Sequence, residues 1–332
     1  MVKVAVIGAG YIAQSHAAAY DAHDGAHLAY VTDPVTAKAE ALAERHGARS
    51  VGSLEDLLAS DVEAVSVCTP SPTHADVVVA ALEAGKHVLC EKPLARTSAD
   101  GRRLVEADRQ SAGLLMIGHV SRFEPDHRAA RDAVREGRIG RVRMMAQSIV
   151  GELPTWSEQS WLTDPAQSGG PLVDLAVHSF DYLTWVSGAT PERVHAVGST
   201  GPDGFVDYSL VTLKYDNGAL AVVEASWAHP AGHGLDVATE LSGTEGRIAW
   251  DYAGTAVGAL KRAGEPRLEL TQLGDRGFRA EIAAFLEAVE NGAPSPVPAE
   301  EGLLALEVAL AAAESLRTRR AVRLPYKEGE KE

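Results

Sequence analysis

The sequence predicts an α/β N-terminal domain on a doubly wound parallel sheet, followed by an α+β domain on a large, mostly antiparallel sheet. Three observations predict it. Val2–Ile7 is an apolar run without polar alternation, as a parallel strand covered on both faces should be. Strand-like runs then alternate with helix-like patterns through the first third of the chain, which implies right-handed crossovers. From Val194 to about Leu270 the pattern changes to long strands with hairpin signals, the clearest being Asp216-Asn217-Gly218 between two such strands.

Each element follows in order. Helices are expected over Tyr11–His23, Thr36–His46 and His74–Ala84, and strands over Leu28–Thr32, Ala64–Cys68, Val88–Cys90 and Leu114–Gly118. A helical segment around His127–Glu136 leads to a strand near Val142–Val150. Gly169–Trp185 reads as a loop entering a helix, and helices return at Phe278–Asn291 and Glu300–Arg317. The expected division is a nucleotide-type domain over residues 1–120 and a substrate-binding and oligomerisation domain over 121–332. Asp207–Tyr215 and Ala219–Trp227 are apolar on both faces, yet one chain has helices enough for one face. The second face is therefore expected at a subunit interface, giving a homodimer or homotetramer. The alternative is that the C-terminal helices cover it.

Composition narrows the function classes. A chain of 332 residues is comfortable for two domains. Its formal net charge of -15, with no basic cluster, argues against nucleic acid and anionic membrane surfaces as partners. The opening MVKVAVIG enters a strand directly, without the pattern of a secretory leader, and no apolar stretch approaches the ~18 residues of a membrane span. Cys68 and Cys90 fall at the ends of expected buried strands and read as free thiols in a reducing cytoplasm. The charged tail KEGEKE reads as mobile.

The first motif is VAVIGAGYIAQSH: strand, tight turn, helix. Gly8 permits the turn, Gly10 lets the backbone approach a pyrophosphate, and Ala13 allows close helix packing. Tyr11 and Ile12 open the helix, whose N-terminal N–H groups suit phosphates. Asp33 ends the next strand about 20 residues on, the spacing of a ribose-binding acid. It would accept the adenine-ribose diol and repel a 2′-phosphate, which favours NAD over NADP. This is the fingerprint of a Rossmann domain.

At the ends of the next core strands stand CTPSPTHAD and VLCEKPLA. The first supplies a stiff loop with Thr73 as the expected N-cap of a helix starting at His74. It reads either as a connection only or as a cofactor contact through Thr69, Pro70, Ser71 and His74. The second places Glu91, Lys92 and Pro93 where an apolar strand runs out. A carboxyl end of such a sheet is where these folds bind ligands, so the Lys92 ammonium is expected to face one, with Glu91 beside it.

GGPLVDLAVHSFDYLTW carries the third motif. Asp174 and His178 are four residues apart, hence on one helical face, behind a glycine pair that lets the chain turn. Oxidising an alcohol requires a hydride to leave carbon while a proton leaves the hydroxyl. A histidine suits the proton, a lysine beside the oxygen suits alkoxide character, and Asp174 would position the imidazole and bind a substrate hydroxyl. Lys92, Asp174 and His178 are the candidate catalytic residues; nothing suggests a metal.

With these motifs the chain resembles the glucose–fructose oxidoreductase/inositol dehydrogenase (Gfo/Idh/MocA) family, from Met1 to about Leu324. The resemblance implies that the EKP motif supplies an active-site lysine, Lys92, before a cis proline, Pro93, and that the D-x-x-x-H helix supplies the acid–base pair. GHVSRFEP, Gly118 to Pro125, resembles the segment joining the two domains. Pro171 replaces the usual third glycine of a GGG loop. The family implies polyol or sugar substrates, and His119, Arg122, Glu152, Trp156 and Trp161 lie in segments expected to line that pocket. Two other functions use the same residues or fold: a redox-neutral enzyme with tightly held NAD, and a dinucleotide-binding regulator without catalysis.

Overall fold

The computed structural model of the chain describes residues 1–155, 157, 161–201, 204–251, 259–260, 268–269 and 277–326. It divides into two units, Met1–Phe123 with Asp275–Leu303, and Glu124–Gly274 with Leu304–Glu332. Trp156 and the charged end at 327–332 lie outside the described residues.

The first unit is built on β1 (Val2–Ile7), β2 (Ala26–Thr32), β3 (Arg49–Ser50), β4 (Ala64–Val67), β5 (His87–Glu91) and β6 (Leu115–Gly118), in the order β3-β2-β1-β4-β5-β6. Every pairing is parallel. Val4, Val6, Val65, Val67, Val88 and Leu89 are fully buried, the result of helices on both faces. The strand order reverses between β1 and β4, which puts a ligand crevice at the carboxyl ends there. Helices α1 (Tyr11–Asp21), α2 (Thr36–Arg45), α3 (Leu54–Leu58), α4 (His74–Glu83) and α5 (Ser98–Gln110) make the crossovers. The helix Phe278–Asn291, from the far end of the chain, packs on α1.

Two details differ from expectation. Helix α5 has no counterpart in the sequence reading, because its polar stretch buries only Ser98, Gly101, Leu104 and Val105; the Thr97 hydroxyl caps it, accepting the Asp100 N–H at 3.0 Å. The expected cap at Thr73 is not made. A 3₁₀ turn, Ser71–Thr73, leads into α4, and the Thr73 hydroxyl engages Thr69 Oγ1 and the Pro70 carbonyl instead, each at 2.8 Å.

The second unit carries α6 (Pro125–Arg135), α7 (Pro165–Ser168), α8 (Val177–Ser187) and the strands β7 (Val142–Glu152), β8 (Pro191–Thr200), β9 (Val206–Tyr215), β10 (Leu220–His229), β11 (Asp236–Gly243) and β12 (Arg247–Asp251). They form a seven-stranded sheet, β12-β11-β7-β10-β9-β8, completed by Val322–Arg323 at the edge. Only β7 and β10 pair in parallel; the other pairings are antiparallel. The hairpin joining β9 and β10 turns at Gly218, with φ +83, and the Asn217 side chain accepts the Ala219 N–H at 2.9 Å.

The faces of this sheet are unequal. Val211, Leu213, Tyr215, Ala221, Val223 and Ala225 are buried on one side, where α8 packs on β7 and β10. On the same side the Ala196 N–H is accepted by Ser315 of the last helix, Ala299–Thr318, at 3.0 Å. The other side leaves Met144, Val197, Leu210 and Leu220 exposed, Leu220 by 49%. The C-terminal helices therefore do not cover it. Cys68 and Cys90 are both buried and outside any disulfide. Among the described residues no helix is long and apolar enough to cross a membrane.

Candidate active site

In the first unit the glycine loop is shaped by its neighbours. Gly8 has φ +90, and a Cβ there would stand 2.9 Å from both the carbonyl carbon and oxygen of Cys68, so β1 can approach the end of β4 only without a side chain. Gly10 is the opposite case, since a Cβ would meet nothing within 4 Å. Tyr11 is exposed, Ile12 half-buried and Ala13 fully buried. Gly10, the N-cap of α1, has no side chain to occupy the first N–H groups of the helix. Beside them, Asp33 Oδ2 accepts the Ala9 N–H at 2.8 Å and Oδ1 accepts the Val35 N–H at 2.7 Å. One lone pair on each oxygen is committed to holding the carboxylate still, and the others remain to receive hydroxyls. An open Gly10, an uncapped helix start and a fixed acid together fit a dinucleotide.

At the ends of β4 and β5 the loops are tied to one another. His74 is buried, with Nδ1 at 2.9 Å from the Pro93 carbonyl and Nε2 at 2.9 Å from that of Thr69. Burial pushes its imidazole below the ordinary range against the pull of those carbonyls. Ser71 is buried, Thr69 half-buried and Pro70 exposed. The Lys92–Pro93 peptide is cis, and Lys92 is half-buried at the strand end. Its N–H donates to Glu91 Oε2 at 3.0 Å, while Glu91 Oε1 lies 2.9 Å from His16 Nε2. Burial works to raise the Glu91 carboxyl, but the bond to His16 and the positive charge of Lys92 bring it below its usual value. His119 is fully buried, and the buried Arg122 guanidinium is paired with Glu301.

In the second unit Gly169 (φ +81) and Gly170 (φ +66) turn the chain, and Pro171 starts the next element. That element is not the α-helical turn the spacing suggested. Pro171–Leu175 is a π turn, closed by the Ala176 N–H donating to the Pro171 carbonyl at 2.8 Å, and α8 follows. Asp174 is buried within the π turn; His178 is the second residue of α8, half-buried, with its Nδ1 shielded from solvent. The turn packs on β9 and β10. At the end of β7 Glu152 pairs in register with His229 of β10 and accepts the Gly232 N–H at 2.6 Å, and the rings of His229 and His233 lie 4.3 Å apart. Trp161 is half-buried.

Two family models account for most of the chain. One, described as oxidoreductase family, NAD-binding Rossmann fold, matches residues 2–119, and the other, the GFO/IDH/MocA C-terminal domain, matches residues 127–249. This chain belongs to the Gfo/Idh/MocA oxidoreductase family. It is an NAD-binding oxidoreductase in the same coarse sense as its relatives. The myo-inositol 2-dehydrogenase of Thermotoga maritima is 31% identical over 97% of this chain and 98% of its own. The 1,5-anhydro-D-fructose reductase of Ensifer adhaerens is also 31% identical, over 96% and 97%. The crystal structure of GenD2 from gentamicin A biosynthesis, in complex with NAD, superposes with a TM-score of 0.90 at 25% identity, covering 98% of this chain and 97% of that one.

The sequence reading of this Gfo/Idh/MocA protein missed His16, Ser66, Tyr20 and Glu281. One signal was present: Ala13, His16, Ala17 and Tyr20 fall on one face of α1, so a histidine occupies a stripe of alanine and tyrosine, and that stripe is buried. His229 and His233 were also passed over, because the end of β10 and the loop after it give no periodic pattern to place them.

Proposed function

We propose that this Gfo/Idh/MocA protein is an NAD-dependent dehydrogenase that oxidises a secondary hydroxyl on a cyclic polyol or sugar, with inositol-like compounds the first candidates. The observation that carries the reading is Lys92 at the carboxyl end of β5, its backbone pinned by the buried Glu91 carboxylate, in a sheet whose first turn has the dinucleotide fingerprint. The two cyclic or sugar-derived substrates named for the relatives support the substrate class.

NAD, when bound, supplies the hydride acceptor. The α1 N-terminus and the open backbone at Gly10 take the pyrophosphate, and Asp33 takes the adenine-ribose diol while repelling a 2′-phosphate. The Lys92 ammonium stabilises negative charge on the substrate oxygen as its proton leaves. His178 accepts that proton, since an imidazole titrates near neutral pH. Asp174 orients the imidazole or holds a neighbouring hydroxyl. The open face of the second unit's sheet, bearing Val197, Leu210 and Leu220, serves as a subunit interface.

The test is a panel of inositols, aldoses and sugar acids with NAD, read by the absorbance of the reduced cofactor. Reduction with a cyclic polyol or aldose supports the assignment; no reduction with any member of the panel removes it.

A further inference from the structure

Behind the Lys92 strand end lies a buried polar chain that the mechanism above does not use. Tyr20 Oη is 2.7 Å from Ser66 Oγ, Ser66 Oγ is 3.0 Å from His16 Nδ1, and His16 Nε2 is 2.9 Å from Glu91 Oε1. All four side chains are buried. One polarity satisfies every member: Tyr20 donates to Ser66, Ser66 to His16, and His16 to the Glu91 carboxylate, whose second oxygen accepts the Lys92 N–H. A fifth residue closes the group. Glu281, on the helix Phe278–Asn291, is fully buried, and its carboxyl lies within 4.8 Å of the ligating atoms of both His16 and Glu91. Among the described residues neither of its oxygens has a hydrogen-bond partner.

We propose that Glu281 is a positioning residue for Lys92, acting through the buried group it forms with His16 and Glu91. Two carboxylates this close and this deeply buried cannot both carry charge. Glu91 is the one with hydrogen-bond donors on both oxygens, so it keeps the charge and Glu281 keeps the proton. Burial, reinforced by the negative Glu91, pushes the Glu281 carboxyl well above its usual range in the same direction. The ionisable groups that face it are His16 and Tyr20 from α1, Cys68 at the end of β4 and Glu91 at the end of β5. Tyr20 and Cys68 are held neutral, chiefly by burial, as is Cys90 beside Glu91. Losing the Glu281 proton would set a second charge beside Glu91 and weaken its hold on the Lys92 amide.

The kinetic part of the test rests on the dehydrogenase reading; the spectroscopic and stability parts do not. Glu281→Gln copies the neutral acid, whereas Glu281→Ala removes it. A displacement of ~1 Å at a reacting group costs on the order of 10²-fold, so Glu281→Ala should lower kcat about 10- to 100-fold with little change in KM for NAD. Glu281→Gln should keep most of kcat and hold it to higher pH than the unmodified protein. Infrared difference spectra between unmodified protein and Glu281→Gln should show one protonated-carboxyl carbonyl band. A raised folded-state value makes Glu281 contribute stability that is present below its ordinary value and lost as pH rises through the folded one. The unmodified protein should therefore lose Tm relative to Glu281→Gln as pH is raised above 4.5. The proposal is overturned if the carbonyl band is missing, if Glu281→Gln is as impaired as Glu281→Ala, or if elemental analysis finds a stoichiometric divalent ion that Glu281→Gln loses. If the panel finds no substrate, the band and the Tm difference decide the proposal alone.

Discussion

Asp33 holds the glycine loop directly: its Oδ2 accepts the Ala9 N–H at 2.8 Å, while Oδ1 takes that of Val35. The residue proposed to select the cofactor therefore also ties down the turn proposed to receive it. Asp33→Ser removes the charge that repels a 2′-phosphate but also one of these two bonds. NADP binding should strengthen and NAD binding weaken, bringing the two affinities within about tenfold, roughly 1.4 kcal/mol of each other. Titration of both cofactors by fluorescence checks this. Equal affinity of the unmodified protein for NAD and NADP would contradict the assignment of Asp33.

The two glycines of the fingerprint should fail in different ways. Gly8→Ala drives a Cβ into the Cys68 carbonyl at a positive φ, which should cost about 1–3 kcal/mol of stability. Gly10→Ala meets no protein atom, so its Tm should be unchanged while NAD affinity falls. Thermal unfolding and NAD titration of both variants separate the outcomes. A Gly10→Ala protein that binds NAD normally would mean the pyrophosphate does not lie there.

Assembly follows from the uneven sheet. Leu210 and Leu220 are 38% and 49% exposed on the open face, so replacing both with Lys should dissociate an oligomer built on it without harming the buried face. Light scattering should show a dimer or tetramer for the unmodified protein and a monomer for the variant. A monomer at micromolar concentration before any substitution would exclude the interface.

The parallel sheet and its glycine loop were legible because each depends on local pattern: continuous apolar runs, two glycines at fixed spacing, and an acid at the end of the next strand. Asp33 was legible as a residue but not as a support for the loop, since its bond to Ala9 is set by the meeting of β1 and β2. Helix α5 was missed because Leu104 and Val105 are nearly all the apolar stripe it has. Asp174 and His178 were legible as neighbours in one segment, but α-helical spacing was the wrong rule for the turn that holds Asp174. Pro171 has no N–H to give, and the turn it opens closes as a π turn. The group of His16, Glu91 and Glu281 was beyond local pattern altogether, as its members come from three elements remote in sequence.

The most direct test of the account is the pH profile of His178→Ala. General-base catalysis contributes ~10²–10⁴-fold, so kcat/KM should fall by about that factor. This corresponds to ~3–5 kcal/mol of transition-state stabilisation. Protonated His178 is the inactive form for alcohol oxidation, so activity of the unmodified protein should fall as pH drops through the range where imidazole titrates. That acidic limb should vanish in His178→Ala, with NAD affinity unchanged, whereas Lys92→Ala should lose rate and keep the limb. A His178→Ala protein with near-normal kcat/KM and an intact acidic limb would show that another group takes the proton.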